Sequence, residues 1–304
     1  MGKLSKSKIC GEYIIIDDEK KQEILDLLKN IQKSSLVGSS YSSDKMAIKQ
    51  LFEKTTEKVE ADILLRLTVI DSMYSTQMNR RYYALEDLAK AMFAVRTEKK
   101  HSLVYLFTKF AKSPNASLFD YSGGNLFGNR YGIGKDGEEK GIAISLISKY
   151  AYFATNYQFP IFDSIVCETL PSLATYLGLQ IKKSSFKMRD NTQRVLGAET
   201  MVSFVKVINE FISQLSCNIS YDALDRLLWF VGKIRRGNLS LVLSKDEYKQ
   251  YRDYVQNVFD IDKINEETIR SLPFVKPQLV EVFLLAKRLG SLTKYPKKKA
   301  TSNQ

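Results

Sequence analysis

The stretch KGIAISLISKYAYFATNYQFPIFDS, residues 140–164, is mostly apolar, yet it carries two lysines and ends in Pro-Ile-Phe-Asp. Its spacing predicts a helix over 140–156. At about 100° per residue, Ile142, Ala143, Ile144, Leu146, Ile147, Ala151, Phe153 and Ala154 surround nearly the whole circumference. A helix apolar on all sides belongs in a core. The exceptions are Ser145, Ser148, Lys149 and Tyr152, spaced i, i+3, i+4, i+7, which form one narrow polar stripe. Unsatisfied polar groups are costly in a core, so the stripe should face a cavity, a water channel or a buried partner. Lys140 stands nine residues before Lys149, about 180° around the helix and at its solvent end. The two lysines are therefore expected to have separate roles.

Desolvation lowers a lysine pKa and frees the amine as a nucleophile. An aspartate just past the helix could hold that lysine or act as acid, base or charge stabiliser. Pro160 fixes the chain's exit and sets the direction of Asp163. The competing reading is a buried Lys149–Asp163 ion pair, or a lysine that snorkels to solvent.

The rest of the chain reads as mainly helical. DDEKKQEILDLLKNIQ (17–32) places Ile24, Leu27, Leu28 and Ile31 on one face behind an acidic first turn. Further helical periods run through 45–73, 85–95, 102–112, 201–215, 221–234, 245–259 and 278–290. ICGEYIIID (9–17) suggests one short strand, and SSLVGSSYSSD (34–44) a connector. The expected organisation is an N-terminal extension (1–44), a helical core (45–240), helices packed on it (241–290) and a disordered basic tail (291–304).

Composition narrows the chemistry. The 304 residues carry 44% hydrophobic and 26% charged side chains, ordinary for a globular protein, but a net charge of +12. Such a surplus favours an anionic partner, most simply nucleic acid. Cys10, Cys167 and Cys217 are odd in number and far apart, which fits neither a disulfide framework nor a zinc ligand set. No apolar run is long enough to span a membrane, and no signal peptide is visible, so a cytoplasmic protein is expected. His101 is the only histidine, in RTEKKHSLVYLF, with nothing near it resembling a triad. Any chemistry should rest on Lys, Asp, Glu or Tyr, with no metal and no cofactor.

YSGGNLFGNRYGIGKDGEEKG (121–141) holds seven of the 15 glycines. Clustered glycines let backbone N–H groups converge on a phosphate; a flexible surface loop is the plainer alternative. The stretch is neither a Walker loop nor a dinucleotide fingerprint.

KGIAISLISKYAYFATNYQFPIFDS resembles the helix-to-aspartate segment of the helix-hairpin-helix DNA glycosylases, a superfamily that includes endonuclease III and 8-oxoguanine DNA glycosylase. There a glycine hairpin starts a helix, bifunctional members carry a catalytic lysine on it, and a Pro-Val-Asp-like step supplies the aspartate. PIFD at 160–163 matches that step. LLRLTVIDSMYSTQMNRRYYALEDLAKAM (64–92) resembles the earlier family helix, whose polar turn enters DNA where the target base has been flipped out. SKYAYFATNYQFPIFDS and DALDRLLWFVGK are similar to a bacterial group with an 8-oxoguanine-glycosylase-like fold, of which one member type excises glucosylated hydroxymethylcytosine from phage DNA. The resemblance covers residues 60–235. Residues DGEE separate YGIGK (131–135) from the helix, and Lys140 stands farther from Asp163, Lys149 nearer, than the family spacing.

The resemblance implies a two-lobed all-α fold and a monomeric enzyme that excises a damaged or modified base from double-stranded DNA. Asp163 would stabilise the oxocarbenium-like sugar or activate the nucleophile. Lys149 would attack C1′ in a lyase, with Lys140 or water as alternatives. The base pocket would draw on Tyr152, Phe153, Ser145, Trp229 and Asp225. Ser75, Thr76 and Gln77 would form the inserting turn, and Arg80, Arg81, Arg130, Gly132, Gly134, Lys135 and Lys140 would contact the DNA. The alternatives are an inactive helical DNA-binding protein and a helical protein-interaction module.

Overall fold

Helical periodicity governs the computed structural model, which describes residues 5–9, 12–33, 40–74, 76–139, 141–179, 181, 197–215, 218–254 and 260–290. A hairpin of β1 (Ser5–Ile9) and β2 (Glu12–Ile16) comes first, antiparallel with Ser5 opposite Ile16. The single strand expected at 9–17 is thus one arm of a pair. In α1 (Asp18–Lys33) the expected face, Ile24, Leu27, Leu28 and Ile31, is buried. Asp17 Oδ1 accepts from Glu19 N and Lys20 N and closes the open amides of its first turn.

Ser40–Lys54 is α2, so the connector expected to run to residue 44 ends earlier. Then come α3 (Glu60–Tyr74), α4 (Ala84–Lys99) and α5 (Leu103–Lys112). A short hairpin, β3 (Asp120–Tyr121) with β4 (Gly124–Asn125), precedes α6 (Ile144–Ala154) and α7 (Ser164–Tyr176). Next are α8 (Ala198–Leu215), α9 (Tyr221–Arg235), α10 (Lys245–Tyr254), α11 (Glu266–Arg270) and α12 (Pro277–Leu289). The fold is all-α, with two small hairpins as the strands among the described residues. The basic tail at 291–304 lies outside the described residues.

Helix α6 is the packing centre. It lies against α2, α3 and α5, while α7 packs on α9, and α9 on α1 and α12. One continuous buried cluster runs from Ile24 on α1 to Ala286 on α12. The expected helix over 140–156 is shorter, because residues 141–143 are held elsewhere. Gly141 has φ +50°, its carbonyl accepts from Tyr131 N and Arg81 Nη1, and Ile142 bridges to Arg130. The helical phase assigned to Lys140 therefore does not apply. Lys140 itself lies outside the described residues.

Gly232 sets how closely α9 approaches α7. A Cβ there would stand 2.5 Å from Ile165 Cγ2 and 2.8 Å from Thr169 Oγ1. Gly232→Ala should therefore destabilise the protein by about 1–3 kcal/mol from overpacking, although alanine is the better helix former by about 1 kcal/mol. Urea unfolding of the variant measures the difference.

Candidate active site

Three elements converge on Asp163. It is the N-cap of α7, in an extended conformation, and its Oδ1 accepts from Val166 N at 3.0 Å. That bond satisfies an open amide of the helix and fixes the carboxylate at the positive end of the helix dipole. The other oxygen, Oδ2, is 3.3 Å from Lys149 Nζ. Lys149 also donates to Ser145 Oγ, one turn back on α6, at 2.8 Å. Ser148 Oγ accepts from Phe162 N at 3.0 Å and so ties the Pro160–Asp163 segment to α6. The expected polar stripe thus splits its work: Ser148 anchors the exit segment, and Ser145 with Asp163 satisfies the lysine.

The pair is asymmetric. The Lys149 side chain is 3% exposed and that of Asp163 21%. The carboxylate is the edge a ligand could reach, and the ammonium sits behind it. Tyr74, the last residue of α3, closes the other side, its ring centre 5.7 Å from Lys149 Nζ and edge-on to Phe153 at 6.0 Å. The Tyr74 hydroxyl is buried with no hydrogen-bond partner among the described residues. Burial, then the charges of Asp225, Asp44 and Asp163, push its ionisation well above the ordinary phenol range. Cys167, on the first turn of α7, is likewise raised by burial and by Asp163. Burial lowers the pKa of Lys233, whose Nζ lies 5.6 Å from the Trp229 ring centre.

Tyr152 leads into a second cluster that the sequence reading missed. Lys45 on α2 is buried and donates to the Tyr152 hydroxyl and to Asp222 on α9. Tyr152 donates to the same carboxylate, and Arg226 holds its other oxygen at 3.1 Å. The rings of Tyr152 and Tyr157 flank the ammonium at 4.9 and 4.4 Å. Burial lowers the Lys45 pKa in spite of Asp222 and Asp225. Burial raises the Asp222 pKa, but Lys45, Tyr152 and Arg226 outweigh it and leave the carboxyl below its ordinary value. A sequence signal existed: Lys45 stands three residues before Ile48, on the apolar face of α2.

The expected pocket residues are differently placed. Tyr152 is fully buried and Phe153 nearly so, among Phe52, Tyr74 and Tyr157. Their rings are covered by protein, so neither offers an open stacking face. Trp229 is half-buried and edge-on to Phe230 at 5.0 Å. Asp225 is buried and lines a small cleft with Pro160, Ile161, Val166 and Tyr221.

Asp71 builds the turn after α3. Buried at 3% exposure, it accepts from Thr76 Oγ1, Met78 N and Asn79 N. Gln77 is exposed at φ +64°, and Arg80 Nη1 donates to its side chain at 3.3 Å. Gln77 and Arg80 therefore stand at the tip. Ser75 lies outside the described residues. Arg81 is half-buried and donates to Gly141 O at 3.1 Å, so it joins the turn to the glycine-rich segment.

That segment corrects the expectation of a phosphate cradle. The amides of Tyr131, Ile133, Gly134 and Gly137 bond Gly141 O, Tyr82 O, Glu138 O and Gly134 O. These donors are spent inside the protein and do not converge on open space. Gly132 is a packing glycine: φ is +76°, and a Cβ would stand 2.6 Å from Ala84 Cβ and 2.7 Å from Tyr82 O. Gly134 is part of the turn. Arg130 and Lys135 are exposed, and their side chains can meet an anion. Among the described residues no group of three or more His, Cys, Asp or Glu could hold a metal ion, and no helix is long and apolar enough to cross a membrane.

The chain matches no protein-family model, no curated protein and no solved structure.

The second cluster is open to direct test. Asp222→Asn leaves Lys45 buried without its carboxylate and should cost about 3–5 kcal/mol. The folded Asp222 pKa is held below the ordinary carboxylate value, so its stabilisation is present above the ordinary carboxylate range and fades as pH falls through the folded value. Denaturant melts at several acidic pH values should show a shallower acid loss in Asp222→Asn than in the parent.

Proposed function

We propose that the chain is a DNA glycosylase of the helix-hairpin-helix type, acting on intracellular double-stranded DNA as a monomer without a cofactor. The observation that carries this is Asp163, held at the N-terminus of α7 just past Pro160, with its second oxygen against the buried Lys149. Two further features support it. The turn after α3 lifts Gln77 and Arg80 from a rigid Asp71 base while Tyr74 at its root touches Lys149. The surplus of 12 positive charges supplies salt-dependent affinity for phosphates.

In this reading Gln77 fills the space the extruded base leaves, and Arg80, Arg130 and Lys135 meet the backbone. As the C1′–N bond breaks, the bonding pair leaves on the base and positive charge spreads over the sugar ring. The Asp163 carboxylate faces that charge, or takes a proton from the water that adds to C1′. Lys149 sits close enough to give Asp163 its proton and add to C1′ as a neutral amine, which would make the enzyme a lyase. The same 3% exposure favours a second reading, in which Lys149 only positions Asp163 and water is the nucleophile. A modified cytosine of phage DNA is the substrate class that the sequence resemblance suggests.

Asp163→Asn separates catalysis from DNA binding. Asparagine also caps helices well, so melting temperature and DNA affinity should hold while base release drops about 100-fold or more. Release by the parent is found by incubating it with natural DNAs of different base chemistry and identifying the freed base by mass spectrometry. Unchanged release in the variant would refute the role of Asp163. Borohydride should trap a protein–DNA adduct that is lost in Lys149→Ala; no adduct in the parent assigns the nucleophile to water.

A further inference from the structure

We infer that the Tyr74 hydroxyl donates a hydrogen bond to a carbonyl oxygen of the departing base, an inference that rests on the glycosylase reading. The first observation is the missing partner. Its oxygen is buried, and no donor or acceptor of the described residues lies within hydrogen-bond reach. A buried hydroxyl without a partner is costly and rare in a native protein, and it calls for one that the described residues do not supply.

The second observation is its place. Tyr74 sits over Lys149 Nζ, against Phe153, and is the last residue of α3. Three residues on comes Gln77, and the turn between is fixed to Asp71, three residues before Tyr74. A turn that enters DNA would carry the nucleotide to this root. Another buried hydroxyl without a partner, Thr169 Oγ1, faces Gly232 in the α7–α9 contact, where an added methyl would already clash, so no ligand fits there.

The third observation decides donor against acceptor. The charged side chains that act on Tyr74 are carboxylates, those of Asp225, Asp44 and Asp163. Burial first, and then these carboxylates, hold the phenol protonated, so it has a proton to give, and none of them is a hydrogen-bond partner that receives it. Glycosidic cleavage supplies an acceptor that strengthens as the reaction proceeds. The C1′–N electron pair moves onto the base and delocalises to its carbonyl oxygen, while water or Lys149 forms the new bond to C1′. A neutral donor aimed at that oxygen stabilises the leaving group in the transition state more than in the ground state. The base then takes up a proton from solvent as it leaves.

Tyr74→Phe removes the hydroxyl alone. On the natural DNA from which the parent releases base, the single-turnover rate should fall about 100-fold. The affinity for a duplex bearing a tetrahydrofuran abasic-site analogue should stay the same, and the melting temperature should hold or rise, because a buried group without a partner is gone. A Tyr74→Phe rate equal to the parent's overturns the inference, and so does a rate loss that tracks a fall in melting temperature. If base release by the parent vanishes in Asp163→Asn but is untouched in Tyr74→Phe, only the role of Tyr74 falls. If the parent releases no base from any DNA tested, the glycosylase reading fails and the role of Tyr74 fails with it.

Discussion

A lysine that is 3% exposed inside an all-helical core has to be answered, and the structure around α6 is organised by that answer. Leaving Lys149 without a counter-charge would be prohibitive. Ser145 supplies one acceptor from the preceding turn, and Asp163 the charge. For the carboxylate to arrive, the chain must leave α6, pass Pro160 and start a new helix at a set place. Ser148 pins that path through Phe162 N, and Val166 N fixes the carboxylate rotamer. Gly232 lets α9 close over α7, so the helix that Asp163 caps cannot drift. Each contact is modest alone, but together they hold one carboxylate oxygen on the lysine and leave the residue's edge accessible.

The same logic recurs one turn along the stripe with a different outcome. Lys45 and Asp222 meet Tyr152 in a site where both ring faces and Arg226 complete the set. There the hydrogen-bonding capacity is spent within the protein, which suits a brace between α2, α6 and α9. Around Lys149 the hydroxyl of Tyr74 has no partner among the described residues. The contrast separates the two buried lysine–aspartate pairs more sharply than burial does, since both lysines are nearly inaccessible. A pair with a complete shell reads as structure, and a pair beside an unmet donor leaves a hydrogen bond to be made.

How much of this was legible in the sequence depends on how locally each feature is encoded. The α1 face and the placing of Lys149 near Asp163 rest on helical period over short separations, and both are found in the structure. The helix start at 140 was not legible, because Gly141 turns to positive φ under bonds from Tyr131 and Arg81, and Arg81 is 60 residues away in sequence. The glycine segment misled for the same reason: the amides of Gly134 and Gly137 bond Glu138 O and Gly134 O, and those of their neighbours Tyr131 and Ile133 bond Gly141 O and Tyr82 O. The Lys45–Asp222 contact joins residues 177 apart, which no periodicity reaches. Only the phase of Lys45 on an apolar face hinted at it.

Arg81 shows why the turn after α3 and the Lys149–Asp163 pair should be taken as one unit. Its guanidinium binds the carbonyl of Gly141, a residue whose added Cβ would stand 2.7 Å from that guanidinium. The segment that leads into α6 is thereby fastened to the turn that leaves α3. Tyr74 makes the matching contact from the other side, against Lys149 on α6. A load on Gln77 or Arg80 at the tip would be carried through Asp71 into α3, and through Tyr74 and Arg81 into α6. Helices α3 and α6 pack directly, so the turn cannot move far without moving the lysine. The turn that carries Gln77 and Arg80 and the Lys149–Asp163 pair are therefore joined by short-range contacts through Tyr74 and Arg81.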